Sequence, residues 1–133
     1  MTCRGIRGAV CAEANQADAI LSATRALLKR IVAANDLSTD QVTSAIFTAT
    51  ADLNTAYPAR AARELGWTQV PLLCMQELDI PGSLPRCIRV LIHWNTDREP
   101  GEIRHVYLGA ARALRPDLAA DEPTGPSTKE EER

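Results

Sequence analysis

Residues 86–95, RCIRVLIHWN, restrict the fold more than any other stretch of the chain. Ile88, Val90, Ile92 and Trp94 alternate with Cys87, Arg89, Leu91 and His93, the period of an extended strand with two distinct faces. A sheet must form around such a strand, with its apolar face covered. Arg89 sits in the middle with apolar neighbours on both sides. An arginine there is rarely buried without a partner, so Arg89 pairs with a carboxylate, faces a cavity, or lies at a sheet edge.

The flanking segments supply the rest of the sheet. Residues 2–11 alternate in the same way, with Cys3, Gly5, Arg7 and Ala9 on one face and Arg4, Ile6, Gly8 and Val10 on the other. Glycine within a strand marks either a close approach by a ligand or backbone, or a bulge. Residues 43–50, TSAIFTAT, are β-branched and turn-bounded; 69–76, QVPLLCMQ, are apolar; 103–108, IRHVYL, make a short strand. Residues 16–35 carry Ile20, Thr24, Leu27, Leu28 and Ile31 at helical spacing, and Asn35 can end that helix. Ser38-Thr39-Asp40-Gln41 fits a capping box on a short turn. Pro58 fits the first position of a second, short helix running to Leu65, with Gly66 as its terminating glycine. That helix carries Arg60 and Arg63 on one face, where they are either solvated or functional. The order predicts an α+β fold, a mixed sheet with helices on one face. Open sheet edges make homo-oligomerisation a natural way to bury them.

At 133 residues the chain suits one domain. Aromatic residues are only 4% of the chain, so the core must rest on Ile, Leu, Val and Ala. Residues 120–133 hold five acidic and two basic side chains and are rich in proline, and a disordered tail is expected there after a domain spanning 1–119. The remaining residues are nearly neutral, with no basic stripe for nucleic acid. Cys3, Cys11, Cys74 and Cys87 form no CxxC pair, and His93 and His105 lie near no cluster, so no metal site is expected. The N-terminal MTCRGIRGAV lacks the apolar region of a secretory leader, and no run approaches the roughly 18 apolar residues of a membrane span. A cytoplasmic protein with reduced thiols is the expectation.

Of the 15 basic residues, 13 are arginine. Arginine suits bidentate anion recognition, but the alanine-rich composition also fits a GC-rich genome, so position must carry the argument. No catalytic triad, phosphate loop or dinucleotide motif occurs. What remains is Arg7, Arg60, Arg63, Arg89 and Arg115 with Glu77, Cys74 and Tyr107. Such a set suits electrostatic stabilisation by preorganised donors.

RGIRGA at 4–9, ATADLNTAYPARAARELGW at 49–67, VPLLCMQELDIPGSLPRCIRV at 70–90 and IRHVYLGAARALRPDL at 103–118 together resemble the monofunctional AroH-type chorismate mutases. The resemblance runs in order over residues 3–118. It implies a homotrimer with a barrel-like core and active sites at subunit interfaces. It also implies the rearrangement of chorismate to prephenate, on the route to phenylalanine and tyrosine, without a cofactor.

By the same resemblance, Arg89 faces the ether oxygen whose bond breaks. Glu77 accepts from the substrate hydroxyl, and Cys74 contacts the same end or is merely a small buried side chain. Arg7 and Tyr107 bind a carboxylate. Arg63, with Tyr57, Ala59 and Arg60, reaches the neighbouring subunit's site. Leu73 supplies backbone and apolar contact, and Leu114 and Arg115 close over the substrate. Tyr57 replaces a common phenylalanine and Arg60 a common lysine, each keeping its physical type; the tail after 118 has no counterpart. Two other readings fit an α+β trimer with interface clefts: a small-molecule binder without catalysis, and an enamine or imine deaminase. Neither accounts for a glutamate beside Arg89, nor for CMQE followed by RCIRV.

Overall fold

The structure, a computed structural model, describes residues 1–115. The expected tail at 120–133, and the domain end at 119, lie outside the described residues. Five strands form one mixed sheet: β1 (Thr2–Cys11), β2 (Val42–Ala49), β3 (Leu72–Gln76), β4 (Cys87–Thr96) and β5 (Val106–Tyr107). Their spatial order is β3-β2-β4-β1-β5. β4 pairs antiparallel with both β1 and β2, whereas β3 runs parallel to β2 and β5 parallel to β1. The alternating strand that anchors the sequence reading is therefore the centre of the sheet.

Helix α1 (Ala17–Asn35) covers one face. Its Ile20, Leu27, Leu28 and Ile31 are fully buried with Ile6, Ile88 and Ile92 of the sheet. Gly8 is what lets the helix sit so close. A Cβ there would lie 2.8 Å from Ile31 Cδ1 and 3.1 Å from the Val106 carbonyl oxygen. Of the two readings open for the β1 glycines, Gly8 is a close approach, by helix and backbone together.

α1 ends at Asn35, as expected, but the left-handed cap is the next residue. Asp36 takes the left-handed conformation (φ 50°) and caps the helix, while Asn35 stays helical and buried. The Asn35 side chain donates to the carbonyls of Ile31 (3.0 Å) and Arg104 (2.9 Å) and accepts from the Arg104 N–H (2.8 Å). A buried amide with its donors and acceptor engaged ties the end of α1 to the chain entering β5.

The short helix α2 (Ala59–Glu64) packs on the same face and begins directly after Pro58. It stops at Gly66, whose φ of +99° suits glycine, with the Trp67 N–H returning to the Ala62 carbonyl. Three local expectations need correction. Ser38 makes no side-chain cap on the 3-10 turn Thr39–Gln41. β3 starts at Leu72, not 69, because Pro71 has no N–H to give the ladder; its carbonyl accepts from Ala45. β5 is only two residues long, because the backbone of Arg104 is taken by Asn35.

Among the described residues, the opposite face of the sheet is largely bare. Leu73, Met75 and Leu91 share it and are exposed. Only at the β5 end does the 3-10 helix Gly109–Ala113 fold over, burying Ala9, Cys87, Tyr107 and Ala111 in a small second cluster against which Leu114 packs. None of the described helices is long and apolar enough to cross a membrane.

Candidate active site

The bare face gathers several of the candidate residues. β4 register places Arg89 opposite Ala9 of β1 and Thr48 of β2, so its side chain rises from the middle of three strands. Glu77 follows β3 directly and extends the ladder, its N–H donating to the Ala49 carbonyl at 2.9 Å. Its carboxylate then meets Arg89: Nε and Oε2 are 3.4 Å apart, with both side chains mostly shielded from water. Thr48 Oγ1 donates to the same Oε2 at 2.5 Å. The geometry between Nε and Oε2 is not that of a hydrogen bond, and Arg89 Nε is a buried donor without one among the described residues.

This pair lines a cavity of about 330 Å³ together with Arg7, Leu91 and Tyr107. Two arginines and one carboxylate face a space of small-molecule size, with apolar walls from Ile46, Val90 and Leu91. Beside it on the same face, Cys87 lies opposite Cys11 in the register. Burial pushes the Cys87 thiol up to about 11, with Cys11 adding to the rise and Arg89 opposing it. Cys87 therefore stays a neutral thiol further into the alkaline range than a free cysteine would.

At the β5 end, the Arg7 backbone N–H donates to Nδ1 of His105 at 3.0 Å. Burial, then Arg7, then Arg115 hold the His105 imidazole below its ordinary value. Arg115 is therefore close enough to act on the same ring as Arg7.

The remaining candidates gather elsewhere. Tyr57, Arg60 and Cys74 line a second cavity, of about 560 Å³, under the loop joining β2 to α2. Cys74 pairs with the buried Phe47, so it faces the helix side of the sheet and is separated from Arg89 in one chain. Glu77 and Cys74 do not meet at one end of one cavity, because successive residues of a strand point to opposite faces and β3 ends between them. Leu73 lies on the bare face, Ala59 is buried within α2, and Arg63 is exposed on α2. Arg60 pairs with Glu64 at 3.1 Å.

The loop carrying Tyr57 is fixed by neighbours that no motif indicated. Asn15 accepts from the Asn54 N–H (3.0 Å) and from Thr55 (3.1 Å), and its amide donates to Asn54 (2.8 Å). The Asp52 carboxylate accepts from Thr50 (2.5 Å) and from the Arg86 N–H (2.9 Å), and these bonds, led by that from Thr50, draw its carboxyl below the usual range. Thr48 and His105 were also missed as site residues. Alternation puts Thr48 on a strand face, but only cross-strand register reveals that it meets Glu77.

Residues 3–118 match the family model for chorismate mutase type I. The chain belongs to the type I chorismate mutase family. The resemblance carried by RGIRGA, CMQE, RCIRV and RHVYL is thereby established. Among curated chorismate mutases of the AroH type, that of Thermus thermophilus is 52% identical over 116 residues, covering 86% of this chain and 95% of the relative. That of Bacillus subtilis is 45% identical over 120 residues, covering 90% and 94%. A solved chorismate mutase from Clostridium thermocellum superposes with a TM-score of 0.82 at 50% identity, covering 84% of this chain and 99% of that one. Chorismate mutase chemistry asks little of proton-transfer groups, in keeping with a cavity of cations and one carboxylate. Among the described residues no group of three His, Cys, Asp or Glu side chains could hold a metal ion.

Proposed function

We propose that this isomerase converts chorismate to prephenate in the cavity around Arg89, by holding the substrate and stabilising charge, without a covalent intermediate. The rearrangement is intramolecular: the ether C–O bond breaks as a C–C bond forms, and negative charge develops on the ether oxygen. Arg89 faces that oxygen. A donor aimed at developing charge binds the transition state more strongly than the ground state, which is what accelerates the step. The observation that carries this role is the buried Arg89 Nε–H, beside Glu77 but not hydrogen-bonded to it. A rate gain of about 10⁶ needs roughly 8 kcal/mol. One such contact supplies about 3–4 kcal/mol, and holding the compact conformer supplies the remainder.

Glu77 accepts from the substrate hydroxyl while Thr48 steadies its carboxylate. Arg7 and Tyr107 take a substrate carboxylate, and Leu114 and Arg115 close the open side. A small-molecule binder without catalysis would have no use for a glutamate that offsets its own arginine.

The second set, Tyr57, Ala59, Arg60, Arg63, Leu73 and Cys74, serves the site of an adjacent copy in a homotrimer. Two facts support this. Tyr57, Arg60 and Cys74 line a different cavity from Arg89, which favours two chains supplying the two groups to one small substrate. The bare face also exposes Leu73, Met75 and Leu91, apolar surface suited to burial by another subunit.

The test is the loss of chorismate absorbance with purified protein and no added metal or nucleotide. A flat trace at micromolar enzyme overturns the reading.

A further inference from the structure

The geometry points to His105 as a positioning residue for the carboxylate grip, acting through the backbone of Arg7. The inference rests on the proposal that Arg7 binds a substrate carboxylate. β5 pairs with β1 only through Gly8–Val106 and Ala9–Tyr107. One residue upstream, the Arg7 N–H finds a side chain instead: Nδ1 of His105, at 3.0 Å. An imidazole thus stands in for a strand carbonyl at the residue whose guanidinium lines the cavity.

The acceptor is held from both sides. Asn35 fixes the backbone N–H and carbonyl of Arg104, and Val106 is already in the ladder. The ring therefore has little freedom to leave Arg7, and Arg7 little freedom to shift along the strand.

The bond also dictates the state of the ring. Accepting at Nδ1 puts the hydrogen on Nε2 and requires a neutral imidazole. Protonation would remove the acceptor and add a third positive charge near Arg7 and Arg115. The charged groups acting on the ring are Arg7 from β1 and Arg115 from the segment after Gly109–Ala113, both cations, and together with burial they favour the neutral form. The amide of Asn35, which holds the adjoining backbone, is uncharged.

Three substitutions test this. In His105→Asn, Oδ1 stands where Nδ1 stood and still accepts from Arg7. In His105→Gln the acceptor moves one bond farther, and in His105→Leu it is gone. The expected result is a KM for chorismate about tenfold higher in the Leu and Gln variants, near the wild-type value in the Asn variant, and kcat within a few-fold throughout. Wild-type KM should stay level as pH falls to the ordinary imidazole value of 6.5 and rise below it, whereas the Asn variant should lack that rise. Amide hydrogen exchange at Arg7 should be slow in the wild type and the Asn variant, and fast in the Leu variant.

Equal KM in the Asn and Gln variants overturns the inference, and that comparison decides even if His105→Leu does not fold. Fast Arg7 exchange with unchanged KM overturns it too. If wild-type protein shows no chorismate turnover while the exchange pattern holds, the substrate reading fails and the His105–Arg7 lock stands.

Discussion

Glu77 lies 3.4 Å from Arg89, yet among the described residues the Arg89 Nε–H has no hydrogen bond. The carboxylate instead takes the Thr48 hydroxyl, on the same oxygen that approaches the guanidinium. Glu77 thus offsets the half-buried charge of Arg89 without consuming the Nε–H donor. A fully engaged pair would have to break before Arg89 could meet a substrate oxygen; this one does not.

Replacing Arg89 by glutamine keeps a polar side chain and removes the charge. kcat should fall by about 10²–10³ while KM changes only several-fold, because the lost contact belongs to the transition state. Steady-state kinetics on the purified variant measures this. A retained kcat would falsify the electrostatic role.

If each site is shared between adjacent copies, two crippled chains can repair one another. Arg89→Gln and Arg60→Gln should each be nearly inactive alone. Refolded together in equal amounts, they should regain about a quarter of wild-type activity, because about one interface in four then carries both native arginines. No recovery on mixing, with trimers present by mass, would mean that Arg60 and Arg89 serve the same chain or that Arg60 serves none.

Gly8→Ala should destabilise the fold by about 1–3 kcal/mol. Its new methyl meets Ile31 at 2.8 Å and the Val106 carbonyl oxygen at 3.1 Å. The side chain can shift but the carbonyl belongs to the β1–β5 ladder, so part of the strain stays. Gly5→Ala is the control, its nearest neighbour being Leu91 at an ordinary 3.5 Å. Urea unfolding of both variants separates packing at Gly8 from a general intolerance of β1.

Cys87 makes stability depend on alkaline pH. The unfolded thiol ionises near 9.0 and the folded one near about 11. Between those values the folded state holds a proton that the unfolded chain has released, so stability falls as pH rises, by about 2 kcal/mol over the interval. Cys87→Ser should flatten that slope in denaturant titrations at pH 8 to 11. An unchanged slope would show that Cys87 is not its source.

Much of the fold was legible because two periods dominate the chain. Alternation in RCIRVLIHWN and in residues 2–11 gave β4 and β1 nearly to the residue, and the Ile20–Ile31 spacing gave α1. Local alternation cannot report which strands are neighbours. Thr48 therefore went unnoticed as the partner of Glu77, and the two faces of β3 were not told apart, so Cys74 was grouped with Glu77. β5 is shorter than its apolar run suggests for a related reason: nothing in IRHVYL shows that Asn35, 69 residues earlier, claims the backbone of Arg104. Alternation marks Arg89 as needing a partner or a cavity, but the roles of the other site candidates come only from the resemblance.

The strand order carries a consequence for how the polypeptide is made. β1 lies between β4 and β5, so the first strand to leave the ribosome borders two of the last. Until residues beyond 87 have emerged, Thr2–Cys11 has no neighbour on either side, and Arg7 cannot approach Arg89. A nascent chain therefore carries an unpaired strand until β4 has emerged, a template for aggregation. The cavity around Arg89, which needs Arg7, Arg89 and Tyr107 together, cannot form before those strands have met.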